Sequence, residues 1–106
     1  MFLHLGKDIV IPIQNIISII DADSIQKSKY SKEFFKTAEE EGFVIKISDE
    51  KIKSYVITEE VQIKRKGMEK IVKTIIYYSP ISSITLQKRS NFIDEIHNSK
   101  DSCVNR

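Results

Sequence analysis

The sequence predicts an α+β domain: a small, mostly antiparallel β-sheet with one main helix over about 28–41, an extended β-hairpin over about 54–78 and a short C-terminal helix. Three observations predict it. Twenty of the 106 residues are Ile, which with Val and Tyr favours strands. Apolar residues alternate with a period of two near the N-terminus, over 43–47 and through most of 54–78. Residues 24–41 alone switch to helical spacing and close on a glycine. A chain of this length forms one compact domain, burying roughly 60–70% of the surface an extended chain exposes.

The elements follow in order. Leu3 and Leu5 alternate with Phe2 and His4 before Gly6 turns the chain. Ile9, Ile11 and Ile13 alternate with Val10 and Pro12 in a second strand, and Pro12, lacking an N–H, places it at an edge or at a bulge. Seven Ile between residues 9 and 20 are more than a one-sided sheet needs, so these strands are expected to be covered on both faces. The two covers would be the chain's own helix and another subunit. In the helix, Tyr30, Phe34 and Ala38 fall at i, i+4 and i+8 with Phe35 beside them, Ser28 or Ser31 caps the start, and Gly42 follows the end. Glu39-Glu40-Glu41 stands at the unfavourable end of the helix dipole, as a solvated acidic face or a docking surface for a basic loop of a neighbouring subunit. Phe43, Ile45 and Ile47 begin the next strand, and a polar turn over 48–53 leads into Ser54-Tyr55-Val56-Ile57-Thr58. The hairpin turns near Gly67 and returns over 70–78. Ser79-Pro80 ends it, and the last helix over 81–86 turns Ile81, Ile84 and Leu86 inward. A domain over 1–89 followed by a flexible tail over 90–106 is expected.

Composition narrows the function. A lone cysteine, Cys103, excludes an internal disulfide framework and a Cys-based zinc site, and fits a reducing compartment. The start lacks the basic and small-residue features of a signal peptide, and no apolar run reaches the ~20 residues of a membrane span. A cytoplasmic protein without membrane contact is expected. His4 and His97 have no acid at ligand or triad spacing, and Gly6, Gly42 and Gly67 are turn glycines rather than a phosphate loop. Asp21 and Asp23 read as a turn or helix cap. Neither an enzyme nor a cofactor is expected.

Charge is the remaining signal. The net charge of +2 conceals a split: residues 1–50 carry 6 Lys against 9 Asp and Glu, residues 51–106 carry 11 Lys and Arg against 6. The basic excess clusters at Lys51 and Lys53, at Lys88-Arg89, and most densely at Lys64, Arg65, Lys66, Lys70 and Lys73. Clusters of this kind bind phosphate because each contact releases condensed counterions.

Four strings in this order carry a family resemblance: Met1-Phe2-Leu3-His4-Leu5-Gly6-Lys7-Asp8-Ile9-Val10-Ile11-Pro12-Ile13; Glu39-Glu40-Glu41-Gly42-Phe43-Val44; Lys53-Ser54-Tyr55-Val56-Ile57-Thr58; and Ser79-Pro80-Ile81-Ser82-Ser83-Ile84-Thr85-Leu86-Gln87-Lys88-Arg89. Together, over roughly 1–58 and 74–89, the chain resembles the RemA/RemB family of extracellular matrix regulators, the RemB branch in particular. The resemblance implies a small α+β protein acting in transcriptional control of biofilm matrix genes, with closed ring oligomers that bind double-stranded DNA in the RemA branch. It also implies DNA-facing basic residues near the helix start and in the loop before the Ser-Tyr-Val strand, here Lys32, Lys51 and Lys53. This chain departs from the family pattern with Lys32-Glu33 where a Lys-Arg pair is usual, and with a longer stretch over about 59–73 that holds Lys64, Arg65 and Lys66.

Two functions are therefore expected as alternatives. One is a ring-forming, DNA-associated transcriptional regulator that contacts the phosphate backbone through repeated Lys32, Lys51, Lys53, Lys64, Arg65 and Lys66, with the Ile-rich residues 9–20 as the subunit interface. The other is an oligomeric protein-interaction module without direct DNA binding, whose partner would be a RemA-like protein.

Overall fold

The computed structural model describes residues 1–63 and 70–90. Strands β1 (Phe2–Gly6) and β2 (Ile9–Pro12) pair antiparallel as a two-stranded sheet. A 3₁₀ turn at Ile13–Asn15 leads to β3 (Ile16–Asp21), then α1 (Ala22–Ile25), α2 (Lys29–Glu40) and β4 (Val44–Lys46). Strands β5 (Ser54–Ile63) and β6 (Lys70–Ser79) follow, and α3 (Ser83–Ser90) closes the described chain. The second sheet has the order β3-β5-β6-β4. Its centre is the antiparallel β5–β6 ladder, in register from Ser54 opposite Ser79 to Ile63 opposite Lys70. β3 joins β5 antiparallel and β4 joins β6 parallel, so β3 and β4 run the same way on opposite edges. Parallel strands need a long crossover, which α1 and α2 supply. The fold is α+β as predicted, with one parallel pair that alternation alone does not encode.

This sheet is covered on both sides, and the pleat sorts its residues between two cores. On one side the β1–β2 ribbon and α3 bring Leu3, Leu5, Ile11 and Leu86 against Ile16, Val56, Ile75 and Tyr77. On the other, α1 and α2 bring Ile25, Phe35 and Ala38 against Ile76 and Tyr78, with Tyr55 and Ile57 alongside. Buried hydroxyls tie the first side together. Ser79 Oγ donates to the Leu5 carbonyl at 2.6 Å, Ser54 Oγ to Ile81 at 2.7 Å, and Thr58 Oγ1 to Ile75 at 2.8 Å. Gly6 has φ +127°, and a Cβ there would meet Pro80 at 3.1 Å and Ile47 at 3.3 Å, so both conformation and space demand glycine.

Local signals fare well where they are chemical. The Ser28 hydroxyl accepts from the Ser31 N–H and caps α2, while Gly42, at φ +82°, follows its end. Pro12 lies opposite Phe2 in a ribbon that pairs with no further strand, whereas the register shift falls between His4 and Gly6. Asp21 is the N-cap residue of α1 without a side-chain capping bond. The helix faces are corrected. Tyr30 is 83% and Phe34 52% exposed, while Phe35 and Ala38 are buried. Phe35 lies down because it stacks on Tyr55 at 4.5 Å and meets Tyr78 edge-on. In α3, Leu86 is fully buried but Ile84 is 63% exposed. That helix begins at Ser83 rather than 81, with Ser83, Leu86 and Ser90 on the inner face. The expected turn at Gly67 and the tail from residue 91 lie outside the described residues.

Glu39 has a role that the dipole argument hides. Its carboxylate accepts the Tyr78 hydroxyl at 2.6 Å, so the acidic end of α2 is bonded to the sheet beneath it. Burial pushes the Tyr78 phenol well above its usual range, and Glu39, as acceptor and as charge, adds to the shift.

Two outcomes follow from this packing. Leu86→Ala is expected to cost about 2–5 kcal/mol in denaturant unfolding, against about 0.5 kcal/mol or less for Ile84→Ala. Because the folded state raises the Tyr78 pKa, the stability that this phenol contributes is fully present below the unfolded value of 10.0 and is lost as pH rises above it. Tyr78→Phe should cost about 1–2 kcal/mol at neutral pH and flatten part of that alkaline decline in pH-stepped melts, leaving the share of Tyr55 and Tyr77, which shift in the same direction.

Candidate nucleic-acid interface

The loop before β5 alternates in burial before the strand formally begins. Ile52 packs against the α2-side core, while Lys51 and Lys53 on either side of it are exposed. Lys53 is held by its backbone from both neighbours: its N–H donates to Ser79 at 2.9 Å, and its carbonyl accepts from Ala22 at 3.0 Å. It therefore extends β5 by one residue, with a fixed Cα and a free ammonium end. Lys51 and Lys53 border a groove of about 220 Å³ with Ile52, Ser82, Asp21 and Asp23. Two carboxylates thus share the groove with the two ammonium groups, which lowers the local positive potential.

Lys32 stands in the first turns of α2, exposed, one turn before Phe35. Lys32, Phe35 and Glu39 follow the i, i+3, i+7 spacing of one helix flank. Phe35 stacks on Tyr55, two residues after Lys53, and Glu39 lines a cleft of about 320 Å³ with Ile52, Val44, Lys46 and Tyr78. Lys51 and Lys53 lie together at the end of the sheet where β3 and β6 finish and β5 starts, whereas Lys32, exposed on α2, is not among the residues that line their groove. Lys27, Lys29 and Lys36 are also exposed on or just before α2. Their spacing in the sequence does not single them out, because scattered lysines are common on any solvated helix. The absence of an acid in the first turn of α2 is the one hint that this end of the helix is basic.

Lys64, Arg65 and Lys66 lie outside the described residues. The residues that bracket them, Ile63 and Lys70, face each other at the opposite end of the ladder from Ser54 and Ser79. Ten strand residues at 3.3–3.4 Å each separate the two ends by about 30 Å. Lys88 and Arg89, exposed in the last turn of α3, belong to the opposite layer from α2. Among the described residues no three His, Cys, Asp or Glu side chains come together as a metal site, and no helix is long and apolar enough to cross a membrane.

Comparison with known proteins fits this architecture. The family model described as RemA-like, extracellular matrix regulatory protein A-like, matches residues 2–90, which spans the six strands and three α-helices of the described residues. Extracellular matrix regulatory protein B of Bacillus subtilis (strain 168) is 33% identical over 96 residues, covering 91% of this chain and 98% of that protein. With the match running from the first strand to the last helical residue, the chain belongs to the RemA-like family of extracellular matrix regulatory proteins.

Proposed function

We propose that this protein is a cytoplasmic, ring-forming, DNA-associated transcriptional regulator of extracellular matrix genes. The observation that carries the reading is the placement of Lys51 and Lys53: exposed ammonium groups on either side of the inward Ile52, with the Lys53 backbone bonded from both sides. A rigid loop presents charge at a fixed position, and a ring repeats that position at fixed intervals, so weak single contacts sum along the phosphate backbone. Lysines act as point charges rather than planar forks, which favours backbone contact over base readout. Lys64, Arg65 and Lys66 would supply further phosphate contacts. Exposed Phe2, Val10 and Ile17 support an association surface on or beside the Ile-rich segment 9–20.

The second reading, an oligomeric interaction module that binds a protein such as a RemA-like partner, is favoured by Asp21 and Asp23 in the lysine groove. Titration of duplex DNA at two salt concentrations separates the two. The DNA reading expects a steep loss of affinity with salt. Lys51→Ala with Lys53→Ala should weaken binding evenly across sequences and make the log–log salt slope shallower by about 1 for each phosphate no longer neutralised. Binding that is absent at low salt, or indifferent to those lysines and to Lys64, Arg65 and Lys66, favours the protein partner. Light scattering on the same samples should show a closed oligomer that Ile17→Asp reduces to smaller species; a wild-type monomer at micromolar concentration defeats the ring.

A further inference from the structure

The β5–β6 ladder continues well past the rest of its sheet. β3 covers β5 only from Ser54 to Thr58, and β4 covers β6 only from Ile76 to Tyr78. Beyond those points the paired residues 59–63 and 70–74 project as a two-stranded ribbon, with no further strand on either edge among the described residues. On the β4 side, the Ile76 N–H and the Tyr78 carbonyl bond outward to Phe43 and Ile47. Backbone groups alternate along a strand, so those of Lys70, Val72 and Thr74 point the same way, with no strand opposite them.

This open edge is bordered by apolar surface on both faces. A groove of about 510 Å³ on the α2 side is lined by Phe34, Ala38, Phe43, Val72 and Ile76, among others. A smaller cleft of about 250 Å³ continues around the edge past Phe43, Ile45, Thr74 and Ile75 to Glu41. Val61, Ile63 and Val72 are all more than half exposed on the ribbon itself. An unpaired strand edge with apolar side chains above and below is a template for one more strand.

We infer that this edge pairs with the same edge of a second copy of the chain, β6 against β6, antiparallel about a two-fold axis at Val72. In that register Val72 faces the partner's Val72, and Lys70 faces the partner's Thr74, each pair exchanging both backbone hydrogen bonds. The charges agree with it. Thr74 shares its cleft with Glu41, so the lysine brought opposite Thr74 arrives beside a carboxylate, and the two-fold axis makes that contact twice. Lys73 falls opposite the partner's Ile71 and already faces Glu60 across its own hairpin, and it lines the Glu41 cleft as well, so the incoming Lys70 shares that carboxylate with Lys73. The start of β4 fixes where the added strand must leave, because from Ile76 onward the edge is taken. This contact is isologous, and it is separate from the Ile-rich surface invoked for the ring.

The test is sedimentation of the full chain across a concentration series. Val72→Pro removes an outward N–H without touching the β5–β6 ladder and should weaken association at least about tenfold while leaving circular dichroism unchanged. Lys70→Glu and Glu41→Lys should each weaken it, and the double variant should recover to within about threefold of wild type, as a double-mutant cycle reads direct coupling. If a ring also forms, Val72→Pro halves the particle mass and leaves single rings, whereas Ile17→Asp leaves pairs. Assembly unaffected by Val72→Pro, a charge-swapped pair no better than its single variants, or a wild type that stays monomeric overturns the inference.

Discussion

Five consecutive residues at the end of β6, Ile75-Ile76-Tyr77-Tyr78-Ser79, are all buried, and the rest of the molecule is arranged around that fact. In a pleated strand such a run buries side chains on two faces, so neither face can be left to water. A single helix covers only one. The β1–β2 ribbon and α3 exist as the second cover, and the contact of Ser79 with the Leu5 carbonyl fixes the ribbon at the point where the strand ends. The requirement also explains the glycine and proline there. With Pro80 pressed against the Gly6 backbone, the turn of the ribbon and the exit of β6 share one space.

Much of this is legible in the sequence, and the remainder is hidden for identifiable reasons. Ser28 and Gly42 declare their helix because caps are local chemistry. The hairpin declares itself because two long β-rich runs flank a turn. The excess of Ile between 9 and 20 is absorbed only in part: Ile11 and Ile16 are buried and Ile19 and Ile20 pack toward opposite cores, while Ile17 stays half exposed. The parallel placement of β4 is invisible, since alternation has no direction. The face of α2 is ambiguous because Tyr30, Phe34 and Phe35 are equally apolar, and only the stacking partner Tyr55 decides which of them lies down. In α3, Ile84 and Leu86 lie on opposite sides of the axis, so a helix that buries Leu86 turns Ile84 into solvent.

The basic residues divide in the same way. Composition locates them, but not their distance apart or their neighbours. Lys51 and Lys53 are held side by side because Ile52 between them packs into the α2-side core. The acidic half of the chain is present at the same place, since Asp21 and Asp23 border the lysine groove. What reads along the chain as an acidic front and a basic back is, in the fold, a close mixture at one end of the sheet. Glu39 shows the same limit: a residue unfavourable to its own helix is bonded to a tyrosine 39 positions away.

The projecting ribbon has a bearing on how such proteins can change length. Residues 59–63 and 70–74 are paired with each other and support nothing in either core. Gain or loss of sequence there leaves both cores intact, and it also keeps the faces of the ribbon when it comes in matched steps, two residues from each strand. A single-residue step turns Val61, Ile63 and Val72 to the opposite side of the ribbon. Relatives with shorter hairpins that keep these faces should therefore differ from this chain by multiples of four residues, apart from changes in the turn itself. The hairpin is in that sense a ratcheted arm, free to lengthen over evolutionary time but keeping its faces only in whole pleats.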